Sequence, residues 1–235
     1  MNNLPFITLI IIAINAIVSI KGFSDWAFFE KYKFNIGRIK NQKEYYRLIT
    51  SGFLHVDYTH LIFNMLTLYF FSNIVVAFFG NPFIIFGDTS FMNQNLGSIL
   101  FLILYLLSIV AGNVLALIEH RNQPNYSAVG ASGGVSGILF SAIAVYPTLM
   151  LGIFFVIPMP AWIFAIIYLG FSVYGMRRNL GNLGHAAHLG GSIFGLLATI
   201  LYFPELLQIN RFYIILMCLP IVAMILMMLF KKNKA

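Results

Sequence analysis

Gly130-Ala131-Ser132-Gly133-Gly134 sets a serine between glycines at the mouth of an apolar run. A serine there has an ordinary reading as a helix cap or small packing residue, and a chemical one as a nucleophile. Two more polar pairs interrupt equally apolar surroundings: His60 with Asn64, and His185 with His188. Together the three pieces can supply a nucleophile, a base and hydrogen-bond donors for a developing negative charge.

Composition identifies the solvent in which such a group would work. Of 235 residues, 60% are hydrophobic and 9% charged, with a mean hydropathy of +0.88. A soluble domain carries about 25% charged residues because its surface faces water, so lipid is the main solvent of this chain. The formal net charge of +7 sits in short connections between apolar runs. That pattern points to membrane lipids with anionic head groups and away from nucleic acid. Cys218 is the sole cysteine, which excludes an internal disulfide. Residues 4–20 have no basic residue before them, and Lys21 follows. They read as a first membrane helix, not as a removed leader.

A spanning helix needs about 20 mostly apolar residues. Segments 4–20, 59–80, 97–118, 131–147, 160–176, 183–203 and 212–230 meet that pattern, with Pro147, Pro158 and Pro160 marking the break between the fourth and fifth. The expected fold is an all-α polytopic membrane helix bundle in one domain over 1–235: a six-helix core at about 4–203 and a seventh, C-terminal span at about 212–230. Residues 21–58 form the longest polar connection. Their aromatics, among them Trp26, Tyr32, Tyr45 and Tyr46, predict a folded segment lying at the membrane interface. Arg211 is the sole basic residue in the connections after the second, fourth and sixth segments. A literal positive-inside reading therefore puts residues 21–58 and the tail in the cytoplasm.

His60 and Asn64 are four apart and project from one helix face. They can form a helix-packing hydrogen bond, or act as neutral donors aimed at an oxyanion. Ser132 is expected near the start of the fourth segment, where unpaired N–H groups and the positive dipole end favour negative charge. Gly130, Gly133 and Gly134 permit close approach of another backbone. The Gly133/Gly137 spacing is repeated by Gly191/Gly195, so the fourth and sixth segments are expected to pack through these faces. His188, three residues before Gly191, would then approach Ser132, with His185 as the rival base. No acidic residue accompanies these histidines in the apolar segments, which favours a Ser-His dyad over a triad. Zinc is disfavoured because no third ligand is nearby. A G-x-S-x-G elbow of soluble hydrolases would need strands this chain does not provide.

The chain resembles the rhomboid family of intramembrane serine proteases. The match runs through Glu44-Tyr45-Tyr46-Arg47, Gly52-Phe53-Leu54-His55 and His60-Leu61-Ile62-Phe63-Asn64-Met65, then Gly130-Ala131-Ser132-Gly133 and Ala187-His188-Leu189-Gly190-Gly191. The resemblance implies a bacterial-type member with six core helices around a water-filled cavity, plus the extra helix. Ser132 would be the nucleophile and His188 the proton carrier. His60, Asn64 and the Ser132 backbone N–H would form the oxyanion hole, and Arg47 would hold the first connection together. The fifth segment and the connection at 176–184 would gate and cap the cavity. Implied substrates are single-pass transmembrane proteins; no cofactor and no metal is implied, and the oligomeric state stays open. Family orientation opens the site to the non-cytoplasmic side of a bacterial inner membrane, against the charge placement. Many relatives carry an aromatic ring four residues after the nucleophile, stacked on the catalytic imidazole. Here that position is Ser136, so what orients His188 is open.

Two other function classes fit the residues less well. A rhomboid-like protein that binds membrane helices without cutting them is disfavoured by the presence of both Ser132 and His188. A small transporter would show inverted repeats and matching interrupted helices, which are not found.

Overall fold

The computed structural model describes residues 4–153, 157–178 and 184–232. The first helix, α1, covers Phe6–Ser24. The connection after it is folded, as its aromatics predict. It contains α2 (Trp26–Tyr32), β1 (Phe34–Asn35), α3 (Ile36–Gln42), α4 (Arg47–Thr50) and a 3-10 turn at Ser51–Phe53. Polar side chains begin its helices: Asp25 accepts from the Phe28 N–H and Asn35 from the Arg38 N–H, each satisfying a donor the helix leaves open.

Next come α5 (Tyr58–Gly80) and α6 (Gln94–Glu119), capped by Asp57 and Asn93 respectively. They are followed by β2 (Ser127–Ala128), α7 (Ser132–Val145), β3 (Met150–Ile153) and β4 (Ile157–Pro160). The chain continues as α8 (Ala161–Arg178), α9 (His185–Tyr202), α10 (Leu206–Ile209) and α11 (Arg211–Lys232). Two short ribbons supplement the all-α expectation. β1 pairs antiparallel with β2, and β3 with β4 in the register Met150↔Pro160 and Gly152↔Pro158. Every strand in such a ribbon is an edge, which tolerates Pro158 and Pro160.

Helices α1, α5, α6 and α9 are long and apolar enough to cross a membrane. The expected span 131–147 is corrected to the 14 residues of α7. At 1.5 Å per residue α7 is roughly 21 Å long, against about 30 Å of hydrocarbon. Pro147 explains its end, because the residue before a proline is biased away from helical geometry. The cap connection expected at 176–184 falls largely on residues 179–183, outside the described ones.

Short as it is, α7 is the centre of the bundle. Residues 133–145 are all buried, while Ser132 at its start is half-exposed. α5, α6 and α9 surround it. The α9 contact is made by backbone: a Cβ on Gly191 would collide with the Gly133 carbonyl, and one on Gly195 with the Gly137 carbonyl. A Cβ on Gly137 would strike the Ser108 side chain of α6. Both small-residue faces therefore meet as their spacing predicts, and without a hydrophobic drive between helices such close packing is what holds them. Asn210, between α10 and α11, donates from Nδ2 to the Ala144 and Val145 carbonyls at 2.8 and 3.1 Å, satisfying the C-terminal end of α7.

Candidate active site

The N-terminus of α7 opens into a cavity of about 1000 Å³ lined by His60, Asn64, Ser132, Ser136, Tyr168 and His188, with Asp57, Lys33 and Tyr126 among other residues of its wall. Four structural elements deliver the polar groups: α5 carries His60 and Asn64, α7 carries Ser132, α8 carries Tyr168, and α9 carries His188. All four residues singled out from sequence as the reacting set thus share one space. His185 does not line it. That imidazole lies against the Gly175 backbone of α8 and 5.4 Å from the Phe171 ring, whereas His188 lines the cavity with Ser132.

Asn64 is the most telling of the group. It is 6% exposed, and its Nδ2 is buried with no hydrogen-bond partner among the described residues. Leaving such a donor unmatched costs about 1–3 kcal/mol. An idle carboxamide on the wall that also holds Ser132 can receive negative charge. His60 stands one helical turn earlier on the same face. Its ring reaches the loop before Ser132 so closely that a Cβ on Gly130 would lie 2.6 Å from His60 Cε1. Gly130 also has φ of +137°, a backbone region open to glycine; both facts require glycine at this position.

The loop carrying the nucleophile candidate is fixed from the first connection. Gly130 N–H donates to the Ser51 carbonyl at 3.0 Å, and Ala131 N–H donates to His55 Nε2 at 3.4 Å. Ser19 Oγ donates to the Phe53 carbonyl at 3.0 Å and so accepts from His55 Nδ1 at 2.7 Å. With Nε2 accepting and Nδ1 donating, His55 is held as one neutral tautomer. Arg47 secures the connection beneath: Nη1 donates to the Glu30 and Lys33 carbonyls, and Nε to Glu44 at 2.6 Å. That bond holds the Glu44 carboxyl below its ordinary value. Asn113 of α6 donates to the Leu48 carbonyl and to Ser51 Oγ, tying the connection to the bundle.

Sequence reasoning gave Ser19 no role and quoted His55 without one. The signal for His55 was its place five residues before His60, closing Gly52-Phe53-Leu54-His55. Tyr168 had no local signal, since residues 161–171 around it carry no charged side chain. Among the described residues no hydrogen bond joins Ser132 to His188; catalytic hydrogen bonds often tighten only when substrate is bound.

The rhomboid-domain family model matches residues 42–205, which contain His60, Asn64, Ser132, Tyr168 and His188. The chain belongs to the rhomboid family. It is 30% identical over 166 residues to "RHOMBOID-like protein 12, mitochondrial" of Arabidopsis thaliana, covering 64% of this chain and 44% of that protein. It is 29% identical over 181 residues to "Rhomboid protein 1, mitochondrial" of Saccharomyces cerevisiae, covering 73% and 45%. To "Rhomboid-like protein 16, chloroplastic" of Arabidopsis thaliana it is 31% identical over 175 residues, covering 72% and 50%. The chain spans about half the length of these curated relatives. Membership makes it a multi-pass integral membrane protein and supports an intramembrane protease-type function.

Proposed function

We propose that this chain is an intramembrane serine endopeptidase that cuts the transmembrane or juxtamembrane segments of single-pass membrane proteins. The observation that carries the reading is the unpartnered Asn64 carboxamide in the same cavity as Ser132, His60 and His188. Ser132 Oγ forms a bond to the scissile carbonyl carbon while His188 takes its proton. The carbonyl oxygen, now negative, is met by Asn64 Nδ2, by the His60 ring N–H and by the Ser132 backbone N–H. Collapse breaks the C–N bond, and His188 returns the proton to the leaving amine. Water then attacks the acyl-serine, again giving its proton to His188, and Ser132 is released. No cofactor enters these steps.

The 14-residue length of α7 supports hydrolysis below the membrane surface, since a helix this short can start inside the bilayer beneath a cavity of this size. In this reading α8 and α11 complete the spans, and the cavity opens to the non-cytoplasmic side. The relatives' names refer to mitochondria and a chloroplast, so the expectation of a bacterial inner membrane gains no support from them. The missing Ser132–His188 hydrogen bond is the observation that favours the second reading, a silent protein that binds membrane helices.

Purified protein in lipid, incubated with a panel of tagged single-pass substrates, separates the two. Cleavage is expected from wild type and from neither Ser132→Ala nor His188→Ala. Asn64→Ala is expected to lose about 10²–10³ in kcat, the usual cost of one oxyanion donor. Cleavage that survives Ser132→Ala rejects the mechanism, and binding without cleavage by wild type selects the second reading. Reporter fusions within residues 21–58 test the orientation; signal from the cytoplasmic side alone reverses it.

A further inference from the structure

The dyad lacks a carboxylate, and among the described residues no hydrogen bond holds the His188 ring. A neutral imidazole must nevertheless present one nitrogen toward Ser132. Two rings of the described residues lie against it. His185 of the same helix is edge-on at 6.4 Å. From another helix, the Tyr168 ring of α8 stacks on His188 with centroids 5.8 Å apart and planes inclined by 25°. This is the offset arrangement that aromatic pairs prefer.

Tyr168 is itself fixed. Its hydroxyl and Ser136 Oγ are 2.6 Å apart, and its ring packs against Phe140 of α7 and Phe164 of α8, each at 5.7 Å. Ser136 is 2% exposed and sits one turn below Ser132 on α7. The small residue leaves room for a ring arriving from α8 and supplies the hydroxyl that receives its tip. We infer that Tyr168 is the positioning residue of the dyad: anchored to Ser136, its ring sets the plane of the His188 imidazole. The inference rests on the dyad reading above and goes beyond it by joining the orientation of the base to the seating of α8. With α8 in place the imidazole is aligned; with α8 displaced the ring leaves and the base loses its support.

The test uses the full-length protein in lipid vesicles, reading both the labelling rate of Ser132 by a fluorophosphonate and the kinetics of substrate cleavage. Tyr168→Leu and Tyr168→Met remove the ring. Both are expected to label about tenfold more slowly or worse, a part of the 10²–10⁴ that a positioned acid–base group supplies, with kcat lowered equally and KM within about twofold of wild type. Tyr168→Phe keeps the ring and is expected to stay within about threefold. Ser136→Ala is expected to match it, with no further loss in the double variant because both changes delete the same tie. Wild-type rates in the ring-less variants, at unfolding midpoints matching wild type, overturn the inference. A Tyr168→Phe loss as deep as that of Tyr168→Leu also overturns it, because the hydroxyl and not the ring would then matter. Where neither ring-less variant folds, a loss well beyond threefold in Tyr168→Phe overturns the inference, because the ring it keeps would then not suffice. Unlabelled wild type removes the dyad and this role with it, a result distinct from equal labelling of wild type and ring-less variants, which removes this role only.

Discussion

Helix α7 meets its neighbours α9 and α8 in opposite ways. Toward α9 it offers Gly133 and Gly137, whose carbonyls touch the Gly191 and Gly195 backbone with no side chain between them. Toward α8 it offers Ser136 and Phe140, which reach Tyr168 through a hydroxyl contact and a tilted ring pair. The first contact has nothing that can rotate aside; the second is built from rotatable groups. Ser132 and His188 therefore ride on a backbone-tight seam, while α8 meets α7 through side chains. Such a division would suit the peptidase proposed above: its reacting groups would stay registered while the aromatic support comes from the side-chain contact.

The largest effect that tests this comparison is expected at Gly191. The added methyl of Gly191→Ala would overlap a backbone carbonyl, so helices must separate. We expect a loss of about 3 kcal/mol, the upper part of the usual overpacking range, read as a lowered midpoint in a detergent unfolding titration. Gly133→Ala is the internal contrast. Its Cβ would meet the Ala187 and Ser108 carbonyls at 3.4 and 3.5 Å, ordinary contact, so its midpoint should move by less than about 1 kcal/mol. Equal tolerance at both positions breaks the claim of a backbone-tight seam.

Asn210→Ala should cost less. It strips donors from the buried ends of α7, the Ala144 and Val145 carbonyls, at about 1–2 kcal/mol for the unmatched groups. The same titration measures it. A neutral result would mean that α7 is held by its α9 seam alone.

Gly170 lies on α8, where nothing approaches within 4 Å of an added Cβ. Gly170→Ala should raise the unfolding midpoint, by up to about 1 kcal/mol from helix propensity. A glycine on the seam and one on α8 are then opposite in sign. Destabilisation at Gly170 would show that α8 is packed as tightly as α9, and would erase the distinction.

The sequence marked these two regions unequally. The glycine spacing that builds the α7–α9 seam is local and periodic, so Gly133, Gly137, Gly191 and Gly195 are legible without coordinates, and His188 follows from its place on the Gly191 side. Helices α5 and α6 were equally plain, since Asp57 and Asn93 punctuate long apolar runs. The length of α7 was not, because the apolar run continues past Pro147 into the β3–β4 ribbon. The β1–β2 pair joins two-residue strands about ninety residues apart, too short to carry a period. Tyr168 was invisible for a related reason: its meaning depends on which face of α8 meets α7, and the apolar run 161–171 does not announce its face. His55 was visible as a residue, but its partners Ser19 and Ala131 come from distant segments.

The smallest expected effect lies in the first connection, which fixes the loop before Ser132 from outside the seam. Glu44 is partly exposed and held below its ordinary value of 4.5 by the hydrogen bond from Arg47. A carboxylate with a lowered folded-state pKa contributes stability above that ordinary value, and the contribution disappears as pH falls through the lowered one. Glu44→Gln should be slightly less stable than wild type at pH 7, and the gap should close on acidification below about 4.5. Unfolding titrations of both proteins between pH 7 and pH 3 measure it. Wild type and variant lose stability together through their other carboxylates, so only the difference reports on this pair. A gap that stays constant across that window would mean that Arg47 is held by the Glu30 and Lys33 carbonyls alone, and that the connection beneath the nucleophile loop owes nothing to its ion pair.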